Sequence, residues 1–550
     1  MKNISHDELD RQLNENGNLD NVIGELQAAV ALRPDDVQIL DSLGYALYLA
    51  DRDEEAEAIY RKALSIDPGN ARLHQGLGYV LEWQCRHEEA VAAYKEAIRL
   101  GANNGETLWN DLGIALEDAE KYDEAIQAYH EALKIKPDYA SVHFNLAYLF
   151  LKIKRLDEAE SESRKAIQLN PEKPDYWLQL GYTLDDLERY DEAIDALKKA
   201  LRIDQEYADA HYNLGHIYSK LERLDDAEKE FQEAVRLDPD DADNWDWLGY
   251  AFMESRQYEQ AVEAYNKALS LAPENSDTHW RLGDALDELG RHKEAVSAYR
   301  EAIRLKPEED EYMLWNSLGF SLEHCEKKEE AIEAYLHSIS LNAECADSHY
   351  FLAQTLQELN RLGEAEAESR EAIRLEPQDP DMYYQLGLVL EDTDRHEECA
   401  QVFKEAIRLN PNDYGAHYRL AWAYEKLRKL DEAAAEYREA ARIKPENWWP
   451  YYNLANVVRD QEKYEEAIAL YKKALKINPE EDTVYFNLGY CYSRLEKLEL
   501  ADQAYREGLR MNPNDADAHD ELGEILQRLG RMEKAVEEYR EAERLRVENE

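Results

Sequence analysis

A fixed period of 34 residues constrains the fold of this chain more than any other property of its sequence. Four positions recur in most periods as Ala, an aromatic residue, Ala and Pro, and Ala56, Tyr60, Ala63 and Pro68 form one such set. A small residue precedes the first Ala of each set by twelve residues: Gly44, Gly78, Gly113, Ala147, Gly181, Gly215, Gly249, Gly283, Gly319, Ala353, Gly387, Ala421, Ala455, Gly489 and Gly523. A period of this length indicates one supersecondary unit that is stacked many times along the chain.

Each period is expected to form two helices. Residues 109–116 place apolar side chains at helical spacing, and residues 123–133 do so again at steps of three and four residues. The Gly and Ala positions predict close crossing of neighbouring helices, where a larger side chain would overpack the contact. Pro ends the second helix, and the acidic residues that follow, such as Asp240 and Asp241 after Pro239, suit the start of the next helix.

With these residue classes at these offsets, the unit resembles the tetratricopeptide repeat (TPR), a helix-turn-helix of 34 residues. The resemblance covers nearly the whole chain, as fifteen units preceded by a degenerate sixteenth. It implies an all-α fold, a right-handed α-α superhelix or TPR solenoid of about 32 antiparallel helices. It also implies a concave face that is lined by the first helix of each unit and that binds peptides or partner proteins.

Comparison of the units with one another predicts a duplicated block of six repeats. The tripeptide Leu-Trp-Asn at residues 108–110 recurs at residues 314–316, and Ser163 and Ser369 both stand where an aromatic residue is expected. Tandem duplication without a present role and two equivalent binding surfaces both fit this pattern. We predict five segments: a degenerate N-terminal repeat that acts as a cap (1–36), a second unit (37–70), a six-repeat block (71–275), its duplicate (276–481), and the last two units with a polar C-terminal helix (482–550).

The composition excludes several classes of partner. The chain has 119 acidic and 65 basic residues and a formal charge of −54, whereas nucleic acids and anionic membranes need clustered Lys and Arg. We therefore expect a protein or peptide partner with basic and apolar residues, although the acidic surface could serve solubility alone. The N-terminal residues lack the apolar core of a signal peptide, and no apolar run has the length of a membrane span. The five Cys residues form no CxxC pair, so we predict a reducing, cytoplasmic location without disulfides.

Enzymatic activity is not expected, because the repeats occupy the chain and leave no room for a catalytic domain. No Gly is followed by Lys, so a phosphate-binding P-loop is absent. The sequences after His87 and His396 begin like a zinc-protease helix, but Val91 and Ala400 stand at the second His position. We therefore predict no catalytic residues, no metal site and no cofactor.

Histidine and tryptophan alternate at the fourth position of the units. The series contains Trp109, His143, Trp177, His211, Trp245, His279, Trp315, His349, Tyr383 and His417. Consecutive histidines lie two units apart, too far to share a metal ion, so we expect a packing role. If these histidines are buried and neutral, they must become charged in acid and should loosen the array below about pH 6.

Candidate binding residues follow from the positions that face the concave surface in TPRs, which are the second, fifth, sixth, ninth, twelfth and thirteenth of each unit. The twelfth and thirteenth positions are mostly acidic up to the twelfth unit and include Asp185, Asp186, Asp287, Glu288, Glu391 and Asp392. Aromatic, Arg and Asn residues concentrate toward the end of the chain: Tyr418, Arg419, Trp422, Trp449, Tyr452, Asn453, Asn456, Phe486, Asn487 and Tyr490. Asn145 and Asn213 extend the Asn positions, since an Asn amide can both donate to and accept from an extended peptide.

Residues 418–490 form the sharpest candidate, because aromatic and Arg side chains on a rigid wall are typical of binding hot spots. The alternative is that these aromatic rings only pack between successive first helices. The predicted function is a non-enzymatic scaffold that binds a partner polypeptide segment in the concave groove. A regulatory or sensor subunit that controls a separately encoded effector enzyme, and a solenoid that self-assembles through its terminal repeats, are the alternatives.

Overall fold

All regular secondary structure in the described part of the chain is α-helical in a computed structural model, which describes residues 19–101, 105–306 and 311–549. The chain divides into two compact units, Met1–Pro273 (unit 1) and Glu274–Glu550 (unit 2). The division lies beside the join that we predict between the two six-repeat blocks, which themselves stay a prediction. None of the helices in the described residues is long and apolar enough to cross a bilayer.

Unit 1 contains fifteen of the described helices. They are α1 (Leu19–Leu32), α2 (Val37–Tyr48), α3 (Asp53–Ile66), α4 (Ala71–Trp83), α5 (His87–Arg99), α6 (Gly105–Asp118), α7 (Tyr122–Ile135), α8 (Ala140–Lys152), α9 (Leu156–Leu169), α10 (Pro174–Asp186), α11 (Tyr190–Ile203), α12 (Ala208–Lys220), α13 (Leu224–Leu237), α14 (Ala242–Glu254) and α15 (Tyr258–Leu271).

Unit 2 contains the other sixteen. They are α16 (Ser276–Glu288), α17 (His292–Leu305), α18 (Glu311–His324), α19 (Lys328–Leu341), α20 (Ala346–Glu358), α21 (Leu362–Leu375), α22 (Pro380–Asp392), α23 (His396–Leu409), α24 (Tyr414–Lys426), α25 (Leu430–Ile443), α26 (Trp449–Asp460), α27 (Tyr464–Ile477), α28 (Asp482–Arg494), α29 (Leu498–Met511), α30 (Ala516–Arg528) and α31 (Met532–Asn549).

Successive helices pack as hairpins within each unit. Each even-numbered helix is the first of its repeat and packs against the odd-numbered helix that follows it, as α6 does against α7 and α22 against α23. Neighbouring first helices also contact one another, such as α8 with α10 in unit 1 and α20 with α22 in unit 2. The first helices therefore form a layer of their own in each unit. The predicted all-α fold of stacked two-helix repeats is confirmed.

The described residues hold 31 helices, against the 32 or so expected from sixteen repeats. The first helix of the degenerate N-terminal repeat is the one not accounted for, and its sequence lies in residues 1–18, outside the described residues. Its partner is α1, which buries Ile23, Leu26 and Ala29.

Several first helices begin where an acidic or amide side chain satisfies exposed backbone N–H groups. The carboxylate of Asp413 accepts from the N–H groups of Gly415 at 2.8 Å and Ala416 at 3.2 Å, at the start of α24. Asp241 accepts from the N–H of Asp243 at 2.8 Å, at the start of α14. These contacts explain why acidic residues follow the Pro that ends each second helix.

The turn inside each repeat is a tight C-terminal cap that needs one residue in the left-handed region. In the turn after α12, the N–H of Arg223 donates to the carbonyl of Tyr218 at 2.9 Å, while Glu222 has φ of 56°. The equivalent left-handed residues are Asp51, Cys85, Glu120, Lys154, Glu188, Glu222, Arg256, Gly290, Glu326, Asn360, Asp394, Arg428, Glu462, Glu496 and Gly530. Only Gly290 and Gly530 adopt this conformation without a Cβ clash, so the other turns retain backbone strain.

We therefore expect Glu222→Gly to stabilise unit 1. The left-handed conformation costs a residue with a Cβ about 1–2 kcal/mol, and the greater entropy of an unfolded Gly offsets about half of that. The expected net gain in the free energy of unfolding is about 0.5–1 kcal/mol. It should be measurable as a higher urea midpoint and as slower hydrogen exchange at the Arg223 amide. Glu222→Ala is the matched control, since it removes the exposed carboxylate but keeps the Cβ. A gain of the same size in the Ala variant would contradict the strain.

Close contact between a small residue of the first helix and a ring of the second helix recurs in most repeats. A Cβ atom at Gly113 would lie 2.4 Å from the ring of Tyr129, and one at Gly283 would lie 2.3 Å from that of Tyr299. Both rings are almost fully buried. A larger side chain at either Gly would push the two helices of the repeat apart, as the small positions of the sequence predict.

Several of the alternating Trp and His residues share one structural role as hydrogen-bond donors. The indole Nε1 atoms of Trp177 and Trp245 donate to the carbonyl oxygens of Pro171 and Pro239, each at 2.9 Å. His417 places Nε2 at 3.2 Å from the carbonyl of Pro411 in the same way. The fourth position of the repeat thus ties the first helix to the Pro that precedes it.

His417 lies between two acceptors, which favours its imidazolium form. Its Nδ1 is 2.6 Å from Oε2 of Glu436, and its Nε2 faces the Pro411 carbonyl, so protonation of both nitrogens satisfies both acceptors. The same pair of acceptors surrounds two other histidines: Glu162 and Pro137 at His143, and Glu538 and Pro513 at His519.

The prediction that buried neutral histidines loosen the array in acid is wrong for His417. Burial alone would lower its pKa, but the hydrogen bonds to Glu436 and to the Pro411 carbonyl outweigh burial and raise the pKa above 6.5. The pair thus stabilises the fold below the unfolded His pKa, and this contribution is lost as the pH rises through the folded pKa. Sequence alone could not show this, because the partner carboxylate lies on the second helix.

His417→Gln should therefore destabilise unit 2 more at pH 6 than at pH 9. The measurement is the urea midpoint of wild type and variant across this range, with their difference shrinking as the pH rises. Trp245→Phe is the control, because it removes an equivalent bond to a Pro carbonyl without a titratable group, and its effect should not depend on pH. A His417→Gln effect that grows above pH 7 would contradict the charged pair.

Candidate functional site

One aromatic side chain from each of five successive first helices of unit 2 forms a regular row. We define the aromatic row as Tyr350, Tyr384, Tyr418, Tyr452 and Phe486, which stand one repeat apart on α20, α22, α24, α26 and α28. Each ring is partly buried, and Tyr384 and Tyr418 meet rings of the second helices edge-on, at centroid distances of 5.6 Å to Phe403 and to Tyr437. The row therefore has fixed rings with one accessible side.

Donors from the next repeat hold the hydroxyl groups of this row. The amide Nδ2 of Asn453 donates to the Tyr418 oxygen at 2.7 Å, and that of Asn487 donates to the Tyr452 oxygen at 3.3 Å. The guanidinium of Arg419 stands in the same relation to Tyr384. Because the amides occupy the tyrosine oxygens as acceptors, the hydroxyl protons of Tyr418 and Tyr452 remain available to donate.

The first cavity opens beside Tyr418. It has a volume of about 310 Å³ and is lined by Tyr384, Tyr414, Gly415, Tyr418, Arg419 and Trp449. The lack of a side chain at Gly415 keeps it open, since a Cβ there would lie 3.0 Å from the Tyr384 hydroxyl. Trp449 is 47 % exposed, and its ring stacks on Trp448 at a centroid distance of 4.1 Å.

The second cavity opens beside Phe486. It has a volume of about 430 Å³ and is lined by Arg459, Asp460, Phe486, Asn487, Tyr490, Tyr505, Asp515, Asp517, Ala518 and Glu521. The Phe486 ring sits over Gly508, where a Cβ would lie 2.3 Å from it. Most other repeats have Ala at the position of Gly508, so this Gly lets the ring sink between the helices.

Carboxylates outnumber cationic groups around the second cavity. Arg459 is already bound, since it donates to Asn487 at 2.6 Å and to Asp460 at 2.8 Å. Burial raises the pKa of Glu521, and its neighbours Glu524 and Asp520 raise it further. The wall of this cavity therefore carries negative charge that the adjacent cation does not fully neutralise.

Arg419, which lines the first cavity, is held in an ion pair. Arg419 Nη1 lies 2.6 Å from Oε1 of Glu391, on the preceding first helix. Burial raises the pKa of Glu391 even though the bond to Arg419 lowers it. Glu391 thus largely neutralises the charge of Arg419, and the rest of the cavity lining presents mainly aromatic surface.

Trp422 and Asn456 line neither cavity, and the same is true of Tyr452 and Asn453. Trp422 packs against His396 at 5.4 Å between ring centroids, and the Lys426 ammonium lies 5.1 Å from its ring. Asn456 accepts a hydrogen bond from Tyr471 at 2.6 Å. For Trp422 and Asn456 the contacts favour the alternative of packing between helices.

Most of the predicted acidic residues are engaged inside their own unit. Asp185 pairs with Lys220 at 2.8 Å and Asp186 with Lys154 at 2.7 Å in unit 1. In unit 2, Asp392 accepts from Gln357 at 2.6 Å, Asp287 accepts from Tyr299 at 2.9 Å and from Ser321, and Glu288 is exposed. These internal bonds leave less uncompensated charge for a basic partner than the sequence alone indicates.

The predicted Asn residues of unit 1 bond to neighbouring first helices. Asn145 donates to Asn110 at 3.0 Å, and Asn213 donates to the Tyr182 hydroxyl at 3.0 Å. The second contact repeats the Asn–Tyr geometry of unit 2. Their amides connect adjacent repeats, and Asn213 also donates to the Asp209 carbonyl at 2.6 Å.

Comparison with known protein families agrees with this architecture. Models of the tetratricopeptide repeat match residues 15–71, 50–110, 113–154, 140–173, 185–222, 208–241, 455–496, 482–515 and 516–546. The chain belongs to the tetratricopeptide repeat family. A further family model, described as the C-terminal domain of cilia and flagella-associated protein 70, matches residues 245–447. No curated protein sequence matches the chain significantly.

Solved TPR structures are similar to the chain over different lengths. The APC/C hetero-tetramer Cut9-Hcn1 is 15 % identical with a TM-score of 0.38, over 86 % of this chain and 98 % of that chain. YrrB, described as a TPR protein with an unusual peptide-binding site, is 24 % identical with a TM-score of 0.30, over 36 % and 98 %. MamA from Desulfovibrio magneticus RS-1 is 25 % identical with a TM-score of 0.29, over 30 % and 94 %. These low scores carry no conclusion about function.

Among the predicted TPR groove residues, the structure brings two groups together. Tyr418, Arg419 and Trp449 line the first cavity, while Phe486, Asn487 and Tyr490 line the second. Tyr452 and Asn453 lie on α26, which contributes to both cavities.

Sequence reasoning missed Tyr350, Tyr384, Tyr414 and Trp448. The first two continue the aromatic row by steps of one repeat, so a longer reading of the fifth TPR position would have found them. Tyr414 and Trp448 lie next to the N-terminal ends of first helices, outside the positions that the TPR pattern assigns to the groove. Within the described residues, no group of three His, Cys, Asp or Glu side chains could hold a metal ion.

Proposed function

We propose that this TPR chain is a non-catalytic interaction scaffold that holds an extended segment of a partner polypeptide against the aromatic row of unit 2. The single observation that carries the proposal is the first cavity, which is open and walled by aromatic rings around the exposed Trp449. Aromatic side chains held rigidly at a concavity are the usual anchors of protein interfaces. TPR proteins bind peptides or partner proteins, and they are typically scaffolds without catalysis.

The geometry of the row supports an extended ligand over a compact one. Its rings repeat once per first helix, so a chain running across the helices meets an equivalent contact at each step. The hydroxyl protons of Tyr418 and Tyr452 supply donors for backbone carbonyl groups of such a chain. The formal charge of −54 favours a basic partner and disfavours nucleic acid.

Replacement of Tyr418 and Trp449 together by Ala should abolish peptide binding without loss of helicity. Two aromatic anchors at a hot spot contribute about 2–4 kcal/mol or more, so affinity should fall about a hundredfold. A random peptide library displayed on phage is selected on the full chain, and the selected peptides are titrated against wild type and variant. Far-ultraviolet circular dichroism checks the fold.

Trp83→Ala provides the matched control, because Trp83 is 63 % exposed on α4 of unit 1 and lies outside both cavities. This variant should bind the selected peptides as wild type does. Selected peptides that bind the double variant with unchanged affinity, or a library from which no peptide is enriched, would overturn the proposed function.

A further inference from the structure

We propose that unit 2 recognises a proline-rich segment in the polyproline II conformation, with a Lys or Arg about six residues from the proline that enters the first cavity. The basic side chain enters the second cavity. This inference rests on the proposed function and names the class of partner.

The spacing of the aromatic row matches the pitch of a polyproline II helix. Packed helices lie about 8–10 Å apart, so successive rings of the row are separated by about that distance. A polyproline II helix rises about 3.1 Å per residue and completes a turn in three residues, which gives a pitch of about 9.3 Å. A segment with Pro at every third residue therefore places one pyrrolidine ring against each successive aromatic ring.

The chemistry of the row fits the needs of such a segment. A polyproline II backbone makes no internal hydrogen bonds and Pro lacks an N–H, so its carbonyls need donors and it offers few donors in return. The row supplies hydroxyl donors at Tyr418 and Tyr452 between aromatic faces. Binding of a preformed polyproline II helix in an aromatic-lined groove also loses little conformational entropy.

The first cavity suits an apolar ring. Its aromatic walls come from Tyr384, Tyr414, Tyr418 and Trp449, and its one cation, Arg419, is neutralised by Glu391 at 2.6 Å. The absent side chain at Gly415 is what admits the ring. Several other first helices of unit 2 have Asp at the same repeat position, including Asp277, Asp347 and Asp381. A carboxylate at this position would fill the space that Gly415 leaves open.

The second cavity suits a long cationic side chain. Phe486 offers a face for its alkyl stem, and Glu521 and Asp517 stand on the opposite wall. The neighbouring Tyr490 ring already has the Arg494 guanidinium 5.8 Å from its centroid. Asp517 also pairs with Arg546 at 2.9 Å, which leaves Glu521 as the less compensated carboxylate. The raised pKa of Glu521 agrees with an excess of negative charge at this wall.

The distance between the two cavities sets the length of the motif. The first cavity centres on α24 and the second on α28, two first-helix steps apart in the same unit. Two steps correspond to about 16–20 Å, which about six residues of polyproline II span. Either chain direction satisfies this spacing, so the basic residue can precede or follow the proline.

The test uses fluorescence anisotropy with the full chain and labelled peptides of about twelve residues. The probes have Pro at every third position and one Arg about six residues before or after the central Pro. Two control peptides replace every Pro by Ala at equal charge, or the Arg by Glu. We expect one of the two probes to bind, with affinity about tenfold or more above both controls.

Variants of the chain separate the two parts of the motif. Trp449→Ala should remove binding of the probe, while Glu521→Gln should keep binding of the proline segment but remove the preference for Arg over Glu. Glu329→Gln, an exposed acid on α19 of the same unit and outside both cavities, should change neither. Circular dichroism again reports whether each variant is folded.

Equal binding of the Pro and Ala peptides would overturn the inference, and so would an Arg preference that survives in Glu521→Gln. If library-selected peptides bind through Tyr418 and Trp449 but the proline probes do not, the inference fails and the proposed function stands. If neither the selected peptides nor the probes bind, both fail.

Discussion

The contact between a small residue of the first helix and a ring of the second sets how closely the two helices of a repeat approach. At Gly113 and Tyr129 no side chain separates them, and the ring fills the space that a Cβ would need. Because most repeats share this contact, their two helices pack in nearly the same way. The regular spacing of the first helices, and therefore of the aromatic row, depends on it.

Hydrogen bonds from the first helix then fix the orientation of each repeat. Trp and His at the fourth position donate to the carbonyl of the preceding Pro, and several histidines also bind a carboxylate on the second helix. Asn and Arg at the sixth position bind tyrosines of the previous repeat. Polar groups thus connect repeats along the same layer that forms the candidate site, which limits how far this layer can deform.

The repeat period alone was enough to predict the helices, their pairing and the small-residue contacts, because each depends on local periodicity within 34 residues. The partners of polar side chains could not be predicted, since they depend on which atoms meet across repeats. Asp185 reads as a free groove acid in the sequence but binds Lys220, one repeat along the chain. Trp422 was predicted to bind a partner, but it packs against His396. Tyr384 was not predicted, although it lines the first cavity. The openness of the candidate site depends on Gly415 and Gly508. Their role could not be predicted, because the sequence does not show that Gly415 lies against Tyr384 and Gly508 against Phe486.

Gly415 has a consequence for how the surface of such an array can vary. It is partly buried on α24, whereas Ala421 on the same helix is fully buried. A mutation at position 415 would reshape the first cavity while leaving the interior of the repeat intact. The shape of a cavity can thus change in a single repeat with little penalty in folding.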